Sequence, residues 1–217
     1  MREQFEEELL DVKNQVNQLA KNVLDQLDKS MDSLKFHNNQ LALEIIEEDI
    51  KIDNLDLSIN EQVVRLIAKQ QPVATDLRHL IATIRITTDL ERMADHAKNI
   101  ARVTTKLKES ESREVDPIII TMHELATEML EKAIVAYKEE DITLAKELAD
   151  KDDEMDKLYA KLLEEVVMYS TDSIEEREWM IQTTLCARFL ERFGDYLTNI
   201  SESITYMVKG YNIDLNK

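Results

Sequence analysis

One block of sequence occurs twice. Residues 90–100 read LERMADHAKNI and residues 190–200 read LERFGDYLTNI, identical at six of eleven positions across an offset of 100. Upstream, Asp49-x-x-x-Asp53 is echoed by Asp152-x-x-x-Asp156 at an offset of 103. A chain that repeats a unit of this length is constrained to build the same substructure twice. Within each unit, apolar residues recur at three- and four-residue spacing, the signature of amphipathic helix. Only two glycines and two prolines interrupt 217 residues, so long helices are favoured over sheet. Aromatics are 5% of the chain, which leaves the core to Leu, Ile, Val and Met. Three antiparallel helices, each with one apolar face, make a minimal bundle.

The expected fold is therefore all-α, with six long helices forming two pseudo-symmetric three-helix bundles. The helices are expected at 5–34, 38–70, 73–107, 118–138, 141–168 and 173–208. Pro72 should end the second helix, Thr171 to Ser173 should cap the sixth, and Gly210 should stop it. The polar stretch KESESREVDP is the one clear linker, so the organisation reads as a first repeat at 1–108, a linker at 109–117 and a second repeat at 118–217.

Net charge is −18, from 27 basic and 45 acidic residues. That field disfavours nucleic acid, anionic lipid and tight binding of free phosphate, and favours cations and basic protein surfaces. With Cys186 alone, neither an intramolecular disulfide nor a thiolate metal site can form. MREQFEEELL has no secretory hydrophobic region, and no apolar run approaches the roughly 20 residues that span a bilayer. A cytoplasmic protein that reaches a membrane only through partners is expected.

Acidic residues four apart share a helix face with Cβ atoms about 5–6 Å apart, and they repel without a cation. Chance alone supplies roughly nine such pairs in a chain this acidic, so a lone D-x-x-x-D carries no meaning. Glu91/Asp95 and Glu191/Asp195 rise above that background because they recur in both halves. They also continue the stripes Leu77, Ile81, Ile84, Thr88 and Met180, Thr184, Ala187, where patterning places core-facing residues. Arg92 and Arg192, about 100° round the helix, look poorly placed to neutralise them. If each half sets its D-x-x-x-D helix beside its E-x-x-x-D helix, four carboxylates converge, an oxygen-rich set suited to hard or borderline cations. The rival arrangement is a salt-bridge network. His37, His79, His96 and His123 share no ligand spacing, although His96 could join a set through its neighbour Asp95. There is no Gly-rich phosphate loop, G-x-S-x-G or H-E-x-x-H. Cys186, mid-helix in LCARF, reads as a small buried residue.

The LER-x-x-D doublet, the QQPVATDLR turn with Gln71, Pro72, Ala74, Asp76, Leu77 and Arg78, and the stretches Cys186–Arg188 and Val208–Gly210 resemble the PhoU family of phosphate-transport regulators. The resemblance covers nearly the whole chain. It implies two three-helix bundles and multinuclear clusters of divalent or trivalent ions on [E/D]-x-x-x-D motifs. Iron or zinc come first, with magnesium, manganese or calcium as alternatives. Carried over residue by residue, the ligands are Glu91, Asp95, Glu191 and Asp195, then Asp49, Asp53, Asp152 and Asp156. The implied function is negative control of phosphate uptake and of the phosphate-responsive two-component system. The implied partners are the transporter's ATPase subunit and the sensor histidine kinase; a homodimer is a further option that the sequence leaves open. Two features depart from the family pattern. Ala94 stands where glycine is usual, and the second half lacks the proline turn, so the two clusters need not be equivalent. Two other classes of function compete: a metal-storage or metal-dependent enzymatic bundle, and a helical interaction module without metal.

Overall fold

The structure, a computed structural model, describes residues 2–107 and 113–215. Among them the chain forms seven helices: α1 (Arg2–Lys35), α2 (Asn39–Glu48), α3 (Ile50–Gln70), α4 (Ala74–Thr104), α5 (Pro117–Glu139), α6 (Ile142–Met168) and α7 (Ile174–Lys209). Residues 109–112 of the expected linker lie outside the described residues, and Pro117 at its end already belongs to α5. The expected helix 38–70 is two segments, broken at Asp49. There the hydrogen-bond ladder tightens, with the Ile52 N–H donating to the Asp49 carbonyl at 2.8 Å. Neither glycine nor proline marks the break. Instead Asp49 is only 4% exposed, held by groups from α1 and α4.

The other boundaries follow local chemistry. Asn38, Asp141 and Ser173 accept hydrogen bonds from free N–H groups of α2, α6 and α7. Asp116 caps α5 ahead of Pro117. Gln71, before Pro72, leaves the helix in left-handed conformation at φ 48°, and Gly210 ends α7 at φ 80°.

α1 buries the stripe Val12, Val16, Leu19, Val23, Leu27, Met31 and Leu34, stepping by three or four residues. It packs on α3, α4 and α5, and α5 and α6 pack on α7. The most extensive contact joins α4 to α7, so these two helices form the middle layer with the others outside. A helix covered on two sides must bury two faces. Leu90, Met93, Ala97 and Ile100 are buried on α4, and Leu190, Phe193, Leu197 and Ile200 on α7. Their small hydroxyl neighbours Thr83, Thr87, Thr198, Ser201 and Thr205 are buried too. The repeated blocks thus lie on the central helices, and one continuous core runs through both halves. None of the described helices is long and apolar enough to cross a membrane.

Two-sided burial also corrects the expected register of α4. Leu77, Ile81 and Ile84 are only half-buried and Thr88 is exposed, so this stripe is the rim of α4. Glu91 and Asp95 at its end therefore line a groove, within reach of both water and the neighbouring helix.

Candidate functional site

In the first half, the break at Asp49 aims that carboxylate inward between α1 and α4. Its Oδ1 accepts a hydrogen bond from Gln26 Nε2 at 2.8 Å. Its Oδ2 receives the Lys98 ammonium, which also donates to Asp95 Oδ1 at 2.5 Å. The Lys98 side chain is 13% exposed. Burial pulls its pKa down, but the hydrogen bonds it donates to Asp49 and Asp95, with their negative charge, outweigh that and hold it above the usual lysine value. Asp53 and Glu91 complete the group. Both are held above the ordinary carboxylate range, by burial first and then by neighbouring carboxylates, Asp49 and Asp95 respectively. Arg92, set aside on angular grounds, does reach its neighbours: Nε stands 3.5 Å from Glu91 Oε2 and Nη1 3.4 Å from Asp95 Oδ2. A guanidinium on a three-carbon stem spans the angle that separates the Cβ atoms.

The second half assembles the same residue types differently. Asp152 on α6 is half-buried and Asp156, one turn on, is exposed. Glu191 on α7 is 9% exposed and Asp195 half-buried. Arg188 Nη1 lies 2.5 Å from Glu191 Oε1, and Arg192 Nη1 lies 2.8 Å from Asp195 Oδ2. Among the described residues no ammonium pairs with these carboxylates: the position equivalent to Lys98 is Thr198, fully buried. Asp152 Oδ1, Glu191 Oε2 and Thr198 Oγ1 are buried without a hydrogen-bond partner of sound geometry. The Thr198 hydroxyl is near enough to ease the Asp152 charge without closing such a bond. Burial, then Asp195, pushes the Asp152 carboxyl up to about 7. Asp156 and Glu191 are raised by burial and then by the same Asp195.

Gly194 explains how Asp152 comes so close. A Cβ on Gly194 would stand 2.8 Å from Asp152 Oδ1, inside any tolerable contact. The first half carries the buried Ala94 at the equivalent position.

As the side chains stand, no three His, Cys, Asp or Glu among the described residues are gathered to grip one ion. The two clusters nevertheless differ in fitness for a cation. The second offers hard oxygen donors, three of them buried and unpaired, with its arginines at the rim. The first has both oxygens of its inner carboxylate engaged, by Gln26 and Lys98, and does not fit an ion between Asp49 and Asp95 as built.

The other sequence candidates lie apart. His96 joins no ligand set: its ring packs between Phe189 and Tyr196, with centroids 5.9 and 5.7 Å away. Burial and then Arg192 hold its pKa below the usual histidine value. His123 Nε2 pairs with Asp28 at 2.7 Å, His79 lies 3.7 Å from Glu140, and His37 Nε2 stands 3.0 Å from the Arg113 carbonyl. Cys186 is buried. Sequence reasoning missed Gln26, Lys98, Arg188 and Thr198. Gln26 carries no sequence signal. Lys98 and Thr198 do, because they face each other in the aligned repeat.

Comparison with known proteins covers both halves. The PhoU domain family model matches residues 16–104 and again 119–204. The phosphate-specific transport system accessory protein PhoU homolog of Clostridium acetobutylicum is 32% identical, over 98% of this chain and 97% of that protein. The crystal structure of the phosphate transport system regulatory protein PhoU from Streptococcus pneumoniae superposes with a TM-score of 0.89 at 30% identity, covering 97% of this chain and 99% of that one. PhoU from Pseudomonas aeruginosa gives a TM-score of 0.89 at 30% identity, covering 95% and 100%.

Proposed function

Because this chain belongs to the PhoU family, we propose that it regulates phosphate uptake negatively, as a cytoplasmic metal-binding adaptor and not by turnover. Its partners in this reading are the ATPase subunit of the phosphate transporter and the sensor histidine kinase of the phosphate-responsive two-component system. The observation that carries the reading is the double match over almost the full chain to proteins described as accessory and regulatory.

The described residues support an adaptor. The one thiol is buried, and burial pushes its pKa up to about 12, far from a thiolate nucleophile. The −18 charge suits long-range attraction to basic protein surfaces, which speeds association and fades as salt screens it beyond about 10 Å at 0.1 M.

Asp152, Asp156, Glu191 and Asp195 would hold the metal in this reading. A bound cation supplies positive charge that relieves their mutual repulsion and ties α6 to α7. Thr198 and Gly194 shape the floor: one offers a hydroxyl, the other leaves room for the Asp152 carboxylate. Arg188 and Arg192 hold one oxygen each of Glu191 and Asp195, which limits how these carboxylates turn.

Deleting the gene should raise phosphate uptake or derepress phosphate-starvation genes. The purified protein should bind the transporter ATPase with an association rate that falls as salt rises. Unchanged uptake and signalling in a strain without a second copy, or saturable hydrolysis of a phosphate ester by the purified protein, would overturn the reading.

A further inference from the structure

We propose that the first carboxylate cluster takes no metal ion because the Lys98 ammonium is its resident cation, so only the α6–α7 half answers to metal. The inference builds on the reading of these motifs as cation sites, and its test keeps the two apart.

The geometry leaves an ion no place between Asp49 and Asp95, the two carboxylates that would bridge it. Hard divalent cations sit about 2.0–2.6 Å from carboxylate oxygens. Lys98 Nζ stands 2.5 Å from Asp95 Oδ1 and contacts Asp49 Oδ2 as well, so it fills the point where an ion bridging these carboxylates would rest. An incoming cation would have to expel a like charge tethered on α4 and buried to 13% exposure. The remaining Asp49 oxygen is taken by Gln26. With both its oxygens engaged, Asp49 lacks the open valence that Asp152 Oδ1 and Glu191 Oε2 retain.

The repeat shows that the difference is local. Glu91 matches Glu191 and Asp95 matches Asp195, while Lys98 faces Thr198 and Ala94 faces Gly194. Lysine adds the cation, and the Ala94 methyl occupies the place that Gly194 leaves open for a close carboxylate. The first half is thereby cross-linked, α2–α3 junction to α4, by a covalently supplied charge that cannot dissociate. In the second half the corresponding link between α6 and α7 forms only when an ion is present. Metal supply then changes one face of the molecule and leaves the other fixed.

Mn²⁺ alone is the probe, with binding followed by loss of the free-ion EPR signal and folding by circular dichroism. The wild type should bind Mn²⁺ with a stoichiometry unchanged by Asp49→Asn with Asp95→Asn, and abolished by Asp152→Asn with Glu191→Gln. Ala94→Gly with Lys98→Thr should add a Mn²⁺ site that disappears again when Asp49→Asn is included. Its lowered midpoint of thermal unfolding should recover in roughly millimolar Mn²⁺. Loss of wild-type Mn²⁺ in the Asp49→Asn, Asp95→Asn variant would overturn the inference, and this arm stands even where the Lys98 variant does not fold. A folded Ala94→Gly, Lys98→Thr variant with no gain of Mn²⁺ would also overturn it. If the wild type binds no Mn²⁺ while that variant does, the metal reading of the second cluster fails and the role of Lys98 stands.

Discussion

Replacing Gly194 by alanine probes the closest approach in the second cluster. In an unconstrained helix interior, Gly→Ala gains about 1 kcal/mol from backbone propensity. Here the new Cβ would lie 2.8 Å from Asp152 Oδ1 and 3.4 Å from Met155 Cγ. Either the carboxylate swings away or α6 backs off, and overpacking of this kind costs about 1–3 kcal/mol. The blocking atom ends a short, half-buried side chain, so the lower part of that range applies. The two effects nearly cancel, and Gly194→Ala should leave urea-unfolding stability unchanged or lower by about 1 kcal/mol. The diagnostic is the double-mutant cycle. In an Asp152→Ala background the same substitution should recover its full gain of about 1 kcal/mol, a coupling of about 1–2 kcal/mol between the two sites. Mn²⁺ affinity should fall in the single variant because Asp152 is displaced. Additive free energies, or a single variant stabilised by about 1 kcal/mol with Mn²⁺ binding intact, would show that the glycine does not serve Asp152.

Asp152→Asn should raise the stability of the metal-free protein at about pH 8 by about 1–2 kcal/mol, after allowance for the water that reaches this half-buried group. The folded carboxyl is raised to about 7 from 3.8, so its contribution is fully present below about pH 4 and is lost as pH rises through about 7. The advantage of the amide should therefore shrink on acidification; an advantage independent of pH would refute the assignment. Gln71→Gly should stabilise by about 0.5–1 kcal/mol in urea unfolding, because the left-handed φ of 48° costs glutamine and not glycine. Cys186, buried at 1% exposure, should resist a thiol reagent in the native state and react fully in urea; rapid native labelling would show that its helix opens.

Much of this architecture is legible in the sequence because helices advertise themselves locally. Spacing of apolar residues, Pro72, Gly210 and the Ser173 cap all act within a few residues of where they stand. The break at Asp49 is different. Its partners Gln26 and Lys98 lie 23 and 49 residues away, and no local signal announces that three elements meet there. The register of α4 differs from a core-facing stripe for a related reason. A stripe rule assumes one buried face, whereas α4 is covered by α1 and α3 on one side and α7 on another.

The candidate site was legible as a repetition and illegible as chemistry. Identity between the two blocks located Glu91, Asp95, Glu191 and Asp195, and those residues do lie at like places on the two central helices. The residues that decide what each cluster can hold are those at which the blocks differ. Lysine against threonine at 98 and 198 is an ordinary surface difference until the fold shows that this position faces the upstream aspartate. Alanine against glycine at 94 and 194 is one methyl until Asp152 is seen 2.8 Å from where it would be. Duplication therefore makes a reference of each half for the other. The shared residues define the frame, and a charged residue in only one copy, turned toward shared carboxylates, marks where the two halves differ in what surrounds those carboxylates.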